Sequence, residues 1–108
     1  MRRFASLRRR VDFTRLRQRG RRIATKTLTI YLADAYPSDP ASLVGITVNK
    51  SIGKAVVRNK LRRRLAAIVN EALAQCRATR LLVVARPAAA GTPYSALHAE
   101  VTSALGRA

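Results

Sequence analysis

The chain has 108 residues, room for one domain and not comfortably two. Its 22 Lys+Arg face 5 Asp+Glu, a formal net charge of +17; 48% of the residues are hydrophobic but only 5% aromatic, so an aliphatic core must form under strong self-repulsion. The single cysteine, Cys76, excludes an internal disulfide, and no apolar run approaches the ~18 residues of a membrane span.

Residues 1–26 hold eleven of the 22 basic side chains, ten of them arginine. "MRRFASLRRRVDF" is basic but carries no apolar h-region, so it is not a secretory signal, and residues 1–9 are expected to form a basic arm. "RRVDFTRLRQRG" reads as a short helix. Phe13 and Leu16 share one face, Arg15, Arg17 and Arg19 surround it, and Gly20 stops it.

"TKTLTIYLA" then alternates with period two: Leu28, Ile30 and Leu32 point one way, Thr27, Thr29 and Tyr31 the other. The turn "YPSDPAS" leads to "LVGITVN", with Val44, Ile46 and Val48 on one face and Gly45, Thr47 and Asn49 on the other. The pair is expected to form a hairpin with one apolar face and one small, polar face carrying Tyr31. The glycine-containing link "KSIGK" precedes a helix expected from about Ala55 to Cys76. "LLVVA" (Leu81 to Ala85) is a continuous apolar run, as for a strand covered on both faces. "GTPYSALHAEVTSALG" reads as a last helix, with Thr92 as N-cap, Pro93 at the first position, and Tyr94, Leu97, Val101 and Leu105 as its apolar stripe. The expected order is α-β-β-(β)-α-β-α: an α/β chain, or α+β two-layer sandwich, of one small mixed sheet with helices, a single domain over residues 1–108.

The long helix carries two messages. Lys54 to Arg64 holds six Lys/Arg in eleven residues, and the second half reads as ordinary core. At 100° per residue with Arg58 at 0°, Val57, Leu61, Leu65, Ile68 and Ala72 fall between about 260° and 340°, a stripe along the whole length. Val69, Leu73 and Cys76 widen it to about 60° only in the second half; in the first, Arg58 and Arg62 hold that sector. A buried unpaired charge costs several kcal/mol, so the amino-terminal turns are expected to overhang the core. Arg58 and Arg62 then line the sheet's rim, while Lys60, Arg63 and Arg64 fan out opposite. No acid between Asp39 and Glu71 can pair with them, which weakens the reading as a salt-bridged, solvated face.

Phosphate binding alone does not separate DNA, RNA and membrane. The basic helix lacks the Trp or Phe of an interfacial anchor, and strands weaken a helix-turn-helix reading. A polar sheet face with Tyr31, edged by arginines, fits a single-strand RNA platform, although a strand tyrosine is also a common packing residue. The catalytic inventory is thin. His98 stands alone, the five acids (Asp12, Asp34, Asp39, Glu71, Glu100) are scattered, and no metal-ligand cluster or phosphate-binding glycine loop is present. No catalytic or metal-ligating residue is expected, and His98 reads as surface or packing. Cys76 reads as a small apolar side chain.

"VGITVNKSIGKAVVRNKLRRRL" closely resembles the signature of the protein subunit of bacterial ribonuclease P: a glycine strand, a V-s-K-K-x-G-x-A-V turn and an R-N-R-x-K-R helix start. "VDFTRLRQRGRR", "LTIY" and "LLVVARPAAAGTPYSAL" extend the likeness over nearly the whole chain. The resemblance implies a left-handed βαβ crossover and partnership with a catalytic RNA that, with Mg2+, removes the 5′ leader of precursor tRNA. The protein itself is then non-catalytic and binds no cofactor alone. It implies that Phe13, Arg17, Tyr31, Thr47, Asn49 and Lys50 meet the leader. Lys54, Arg58, Asn59, Lys60, Arg62, Arg63 and Arg64 would meet the RNA subunit. A cytoplasmic protein is expected, one per RNA, without DNA or membrane partners. Lys60, Ser51, Ala66, Ala67 and Arg17 depart from the family pattern; Lys60 keeps charge but not the bidentate fork, and Arg17 offers a guanidinium where an aromatic is common. The competing readings are a general basic RNA-binding or ribosomal-type structural protein, and a stand-alone nuclease that the thin catalytic inventory disfavours.

Overall fold

The apolar run Leu81–Ala85 organises the molecule, because a strand greasy on both faces is stable only with both faces covered and both edges paired. A computed structural model describes residues 3–106. Its strands are β1 (Phe4–Ser6), β2 (Arg21–Ala24), β3 (Leu28–Asp34), β4 (Ser42–Thr47) and β5 (Thr79–Ala85), and its helices are α1 (Arg10–Arg19), α2 (Ala55–Ala72) and α3 (Tyr94–Gly106). They form one mixed five-stranded sheet in the order β1-β4-β5-β3-β2. β4 runs parallel to β1 and β5; β3 runs antiparallel to β5 and β2. Chain order and sheet order together make β4-α2-β5 a crossover between adjacent parallel strands.

The expected α/β class holds, with three corrections. The two alternating segments are not a hairpin: β5 lies between β3 and β4. Residues 35–41 step across it, and the central place goes to the strand with the most apolar surface, whose Leu81, Leu82 and Val83 are fully buried. The basic arm is also not wholly an arm. Phe4–Ser6 pairs with β4, Phe4 enters the core, and Leu7 packs on the other face. Two apolar side chains among arginines suffice to seat a short edge strand. Residues 1 and 2 lie outside the described residues. Finally, "RRIA" forms β2, anchored by buried Ile23.

α2 and α3 cover one sheet face. Leu61, Leu65, Ile68 and Val69 of α2 and Leu97, Val101, Ala104 and Leu105 of α3 close over Leu28, Ile30, Val44, Leu81 and Val83. Full burial of each large aliphatic side chain contributes about 1.5–3 kcal/mol. Val57, assigned to the core stripe, is 39% exposed, and Tyr94 is likewise exposed, because the first turn of each helix overhangs the sheet. Thr92 does not act as the expected N-cap: its hydroxyl donates to the Ala88 carbonyl at 2.8 Å in the turn before α3. α2 ends at Ala72, and a 3-10 turn, Leu73–Gln75, carries the chain to half-buried Cys76.

α1 covers part of the opposite face, where Leu16 and Leu7 pack on Leu82. The face expected to be small and polar is therefore half roofed.

Candidate nucleic-acid interface

Strand register sets which side chains meet on the α1 face. Arg22, Tyr31, Leu82 and Gly45 form one row across β2, β3, β5 and β4. Ala24, Thr29, Val84 and Thr47 form the next. Phe13 reaches the first row from α1, its ring edge over Gly45: a Cβ there would meet Cε1 at 2.8 Å. Phe13, Tyr31 and Thr47 are all half-buried on this face, presenting partial surfaces to solvent. Arg17, one helical turn after Phe13, is exposed. These elements leave a strip of sheet beside α1, with Phe13 packed along its α1 side, Tyr31 on its floor and arginines at its margins.

Asn49 and Lys50 continue from the end of β4 and are exposed. Asn49 also has a local structural role. Its Oδ1 accepts from the Ser51 amide at 3.1 Å and from the Ser51 hydroxyl, capping the 3-10 turn Lys50–Ile52. Gly53 then takes φ 146°, the single positive φ among the described residues, to swing the chain into α2.

The start of α2 is built against its own electrostatics. Lys54 occupies the N-cap with no side-chain cap bond, and no acid stands in the first turn. A helix amino terminus carries a partial positive charge and free amides, so acids and Ser/Thr caps normally stabilise it. The same free amides with added cations form an anion site. Lys54, Asn59, Lys60, Arg62 and Arg63 are exposed, and Arg62 donates to Asn59 Oδ1 at 3.0 Å. Arg58 and Arg64 are half-buried, Arg58 in the sector that turns apolar further along, with its Nε enclosed and unpartnered. The two groups of expected RNA contacts adjoin through residues 47–54.

Acidic side chains do not neutralise this surface. Asp12 and Asp39 both pair with Arg80, the one Lys or Arg in an ion pair among the described residues. Glu71 faces His98 at 3.5 Å between α2 and α3, where Tyr94 stacks on the imidazole at 6.4 Å between centroids. Glu100 accepts from the Thr25 hydroxyl and from the amide and hydroxyl of Thr27, holding the β2–β3 turn on α3. Its burial favours the neutral acid, but these hydrogen bonds and nearby Arg86 outweigh that and hold its pKa below the ordinary value. The Arg80 hydrogen bond likewise depresses Asp39, against opposing burial. Asp39 in turn, with Asp12, holds the Arg80 guanidinium protonated beyond its ordinary range. Among the described residues no three His, Cys, Asp or Glu side chains converge as metal ligands, and no helix is long and apolar enough to cross a membrane.

Three features escape the sequence. Arg22 stands beside Tyr31 in the register; the signal was Ile23 alternating with its arginine neighbours. Gly45 is the seat of Phe13, and only a long-range contact reveals that. Arg80, in a strand that reads as purely apolar after it, anchors α1.

The family model described as Ribonuclease P matches residues 1–108. The ribonuclease P protein component of Acidothermus cellulolyticus is 42% identical over 102 residues, covering 94% of this chain and 85% of that protein. That of Thermobifida fusca is 40% identical over 106 residues, covering 92% and 72%. Among solved structures, the RNase P protein of Staphylococcus aureus superposes with a TM-score of 0.81 at 22% identity, covering 94% of this chain and 92% of that one. That of Thermotoga maritima gives 0.79 at 22% identity, covering 96% and 97%.

Proposed function

The chain belongs to the ribonuclease P protein family, and on that premise we propose that it binds the ribonuclease P RNA through the start of α2 and the 5′ leader of precursor tRNA along the strip beside α1. As protein component of the holoenzyme it serves 5′ maturation of tRNA. The observation that carries the finer reading is the adjoining of two unlike surfaces. One is a strip of sheet carrying Tyr31 and flanked by Phe13, suited to unstacked bases; the other is an uncapped, acid-free helix start suited to phosphates.

Each has its own chemistry. A single strand offers base faces, and Phe13 and Tyr31 offer rings; stacking of this kind is worth about 1–3 kcal/mol per base and tolerates sequence. Thr47, Asn49, Lys50, Arg17 and Arg22 border the strip and supply polar and cationic contacts to the backbone. A folded RNA offers closely spaced phosphates to Lys54, Arg58, Lys60, Arg62, Arg63 and Arg64. The Asn59–Arg62 hydrogen bond orients one guanidinium before binding.

The chain's own groups do not suit a protein-held Mg2+ site. Four of its acids are engaged, Asp12 and Asp39 by Arg80, Glu71 by His98 and Glu100 by the Thr25–Thr27 turn, at three separate places in the fold. We assign the magnesium ions and the hydrolytic chemistry to the RNA subunit, while this protein binds and orients, one copy per RNA.

Reconstitution tests the assignment. A bacterial ribonuclease P RNA and a precursor tRNA are mixed at low magnesium, with and without the protein. Stimulated cleavage at the 5′ junction is expected. Absence of stimulation, or cleavage by the protein without RNA, would overturn it.

A further inference from the structure

α1 has only ten residues, too few to be stable alone, and rests on the sheet through Leu16 and half-buried Phe13. Two apolar contacts on one short helix leave its roll and tilt weakly determined. On the flank away from the strip, apolar packing gives way to a cavity of about 220 Å³ lined by Asp12, Arg15, Leu16, Arg19, Tyr36 and Arg80.

Polar ties span that gap. Arg80 rises from β5, only 8% exposed, and donates to Asp12 Oδ1 in the first turn of α1 at 2.9 Å. Its other nitrogens donate to both oxygens of Asp39, each at 2.9 Å, in the β3–β4 connection. The Tyr36 ring covers the guanidinium at 3.8 Å, and Arg15 of α1 donates to the Tyr36 hydroxyl at 3.0 Å. Asp12 and Arg15 lie one turn apart on the same flank, so α1 is held at two points. Phe13 lies about 100° around the helix from Asp12. A roll that breaks the Asp12 tie therefore carries Phe13 off Gly45.

We propose that Arg80 is a positioning residue for leader binding: by tying Asp12 to Asp39 it sets the roll of α1, and through it the seat of Phe13 on Gly45 beside the strip. The inference rests on the leader reading above. Planar geometry makes arginine suited to this role, since one guanidinium reaches two carboxylates in fixed directions, which an ammonium does not. The acids also have a reason to be here in so basic a chain, because an unpaired Arg80 beneath four arginines of α1 would repel the helix.

A binding cycle tests this in the assembled holoenzyme. Affinity is measured for precursor tRNA with a leader and for mature tRNA, using wild type, Arg80→Met, Asp12→Ala, Phe13→Ala and the Asp12→Ala/Phe13→Ala pair. Asp12→Ala leaves Arg80 paired with Asp39 and guards against a misfolded Arg80→Met; unfolding curves and RNA-assembly constants are recorded for each. The leader preference is expected to fall by about threefold or more in Asp12→Ala and Arg80→Met, with assembly constants unchanged. The double variant should lose no more than Phe13→Ala alone, since coupled residues are not additive. Unchanged leader preference, equal loss for both substrates, or full additivity with Phe13→Ala would overturn the inference. A wild-type holoenzyme without any leader preference would overturn the leader reading itself and this inference with it.

Discussion

The Phe13 ring occupies the space where a side chain on Gly45 would stand: a Cβ there would lie 2.8 Å from Cε1 and 2.9 Å from Cζ. Real Cβ atoms do not approach so closely, so Gly45→Ala must displace the ring, and with it the α1 side of the strip. Overpacking of this kind costs about 1–3 kcal/mol, partly offset by the gain of about 0.5–1 kcal/mol from removing a strand glycine. The expected outcome is a small loss in denaturant stability and a larger loss of leader-bearing substrate affinity. Wild-type leader preference in Gly45→Ala would mean that Phe13 has no part in the strip.

Tyr31 tests the floor. It is half-buried, so removing its ring both opens packing around Leu82 and deletes the stacking surface. Tyr31→Ala is expected to weaken precursor tRNA by about 1–3 kcal/mol, one base stack, and mature tRNA by much less. Tyr31→Phe, which keeps the ring, should restore most of the difference. Equal losses on both substrates in equilibrium titrations would return Tyr31 to the role of a packing residue.

How much of this was legible follows from the range of each interaction. α2 was readable because helical periodicity is local: Leu61, Leu65 and Ile68 recur on one stripe, and Arg58 and Arg62 interrupt the adjacent sector. β5 was readable from Leu81–Ala85 alone. The strand order was not, since alternation tells which side chains share a face and never which strand lies alongside. The hairpin expectation failed there, with β5 separating β3 from β4. Phe4 and Ile23 seat β1 and β2 through contacts distant in sequence, hidden among arginines that dominate any local average. Asp12, Asp39 and Arg80 are too far apart in the chain for spacing to connect them. The expected RNA contacts fared unevenly as a constellation. Phe13, Tyr31 and Thr47 share one face, and Asn49 through Lys54 bridge to α2. Asn49 has a structural capping role besides.

Salt dependence tests the helix start. Each phosphate contact made by a Lys or Arg releases condensed counterions, and loss of one contact should flatten the log affinity against log salt slope by about 0.7–0.9. Arg62→Ala removes an exposed guanidinium and should show this for assembly with the ribonuclease P RNA, at little cost in stability. Arg58→Ala should show it too, with some loss of packing from its half-buried stem. Slopes unchanged from wild type in both would place these arginines outside the RNA contact.

Acid sensitivity tests the two half-buried carboxylate sites, Asp39 and Glu100. Asp39 and Glu100 both have native pKa values below their ordinary values of 3.8 and 4.5. Between the native and unfolded values the folded chain binds fewer protons than the unfolded one, so stability rises with pH there. The stabilisation is complete above the unfolded values and disappears as pH falls through the native ones. Wild-type stability should therefore hold down to about pH 5 and decline below it. Asp39→Asn weakens the hold on Arg80, and Glu100→Gln weakens the Thr25–Thr27 turn on α3. Each should lower neutral-pH stability, Glu100→Gln by about 1–3 kcal/mol as a charged acceptor of several bonds is lost. Each should also make the acid limb shallower, because one depressed carboxylate no longer titrates. Urea unfolding between pH 3 and pH 7 reads both effects together. A variant that loses stability at neutral pH yet keeps the full wild-type acid slope would show that the carboxylate's charge is not what holds the contact.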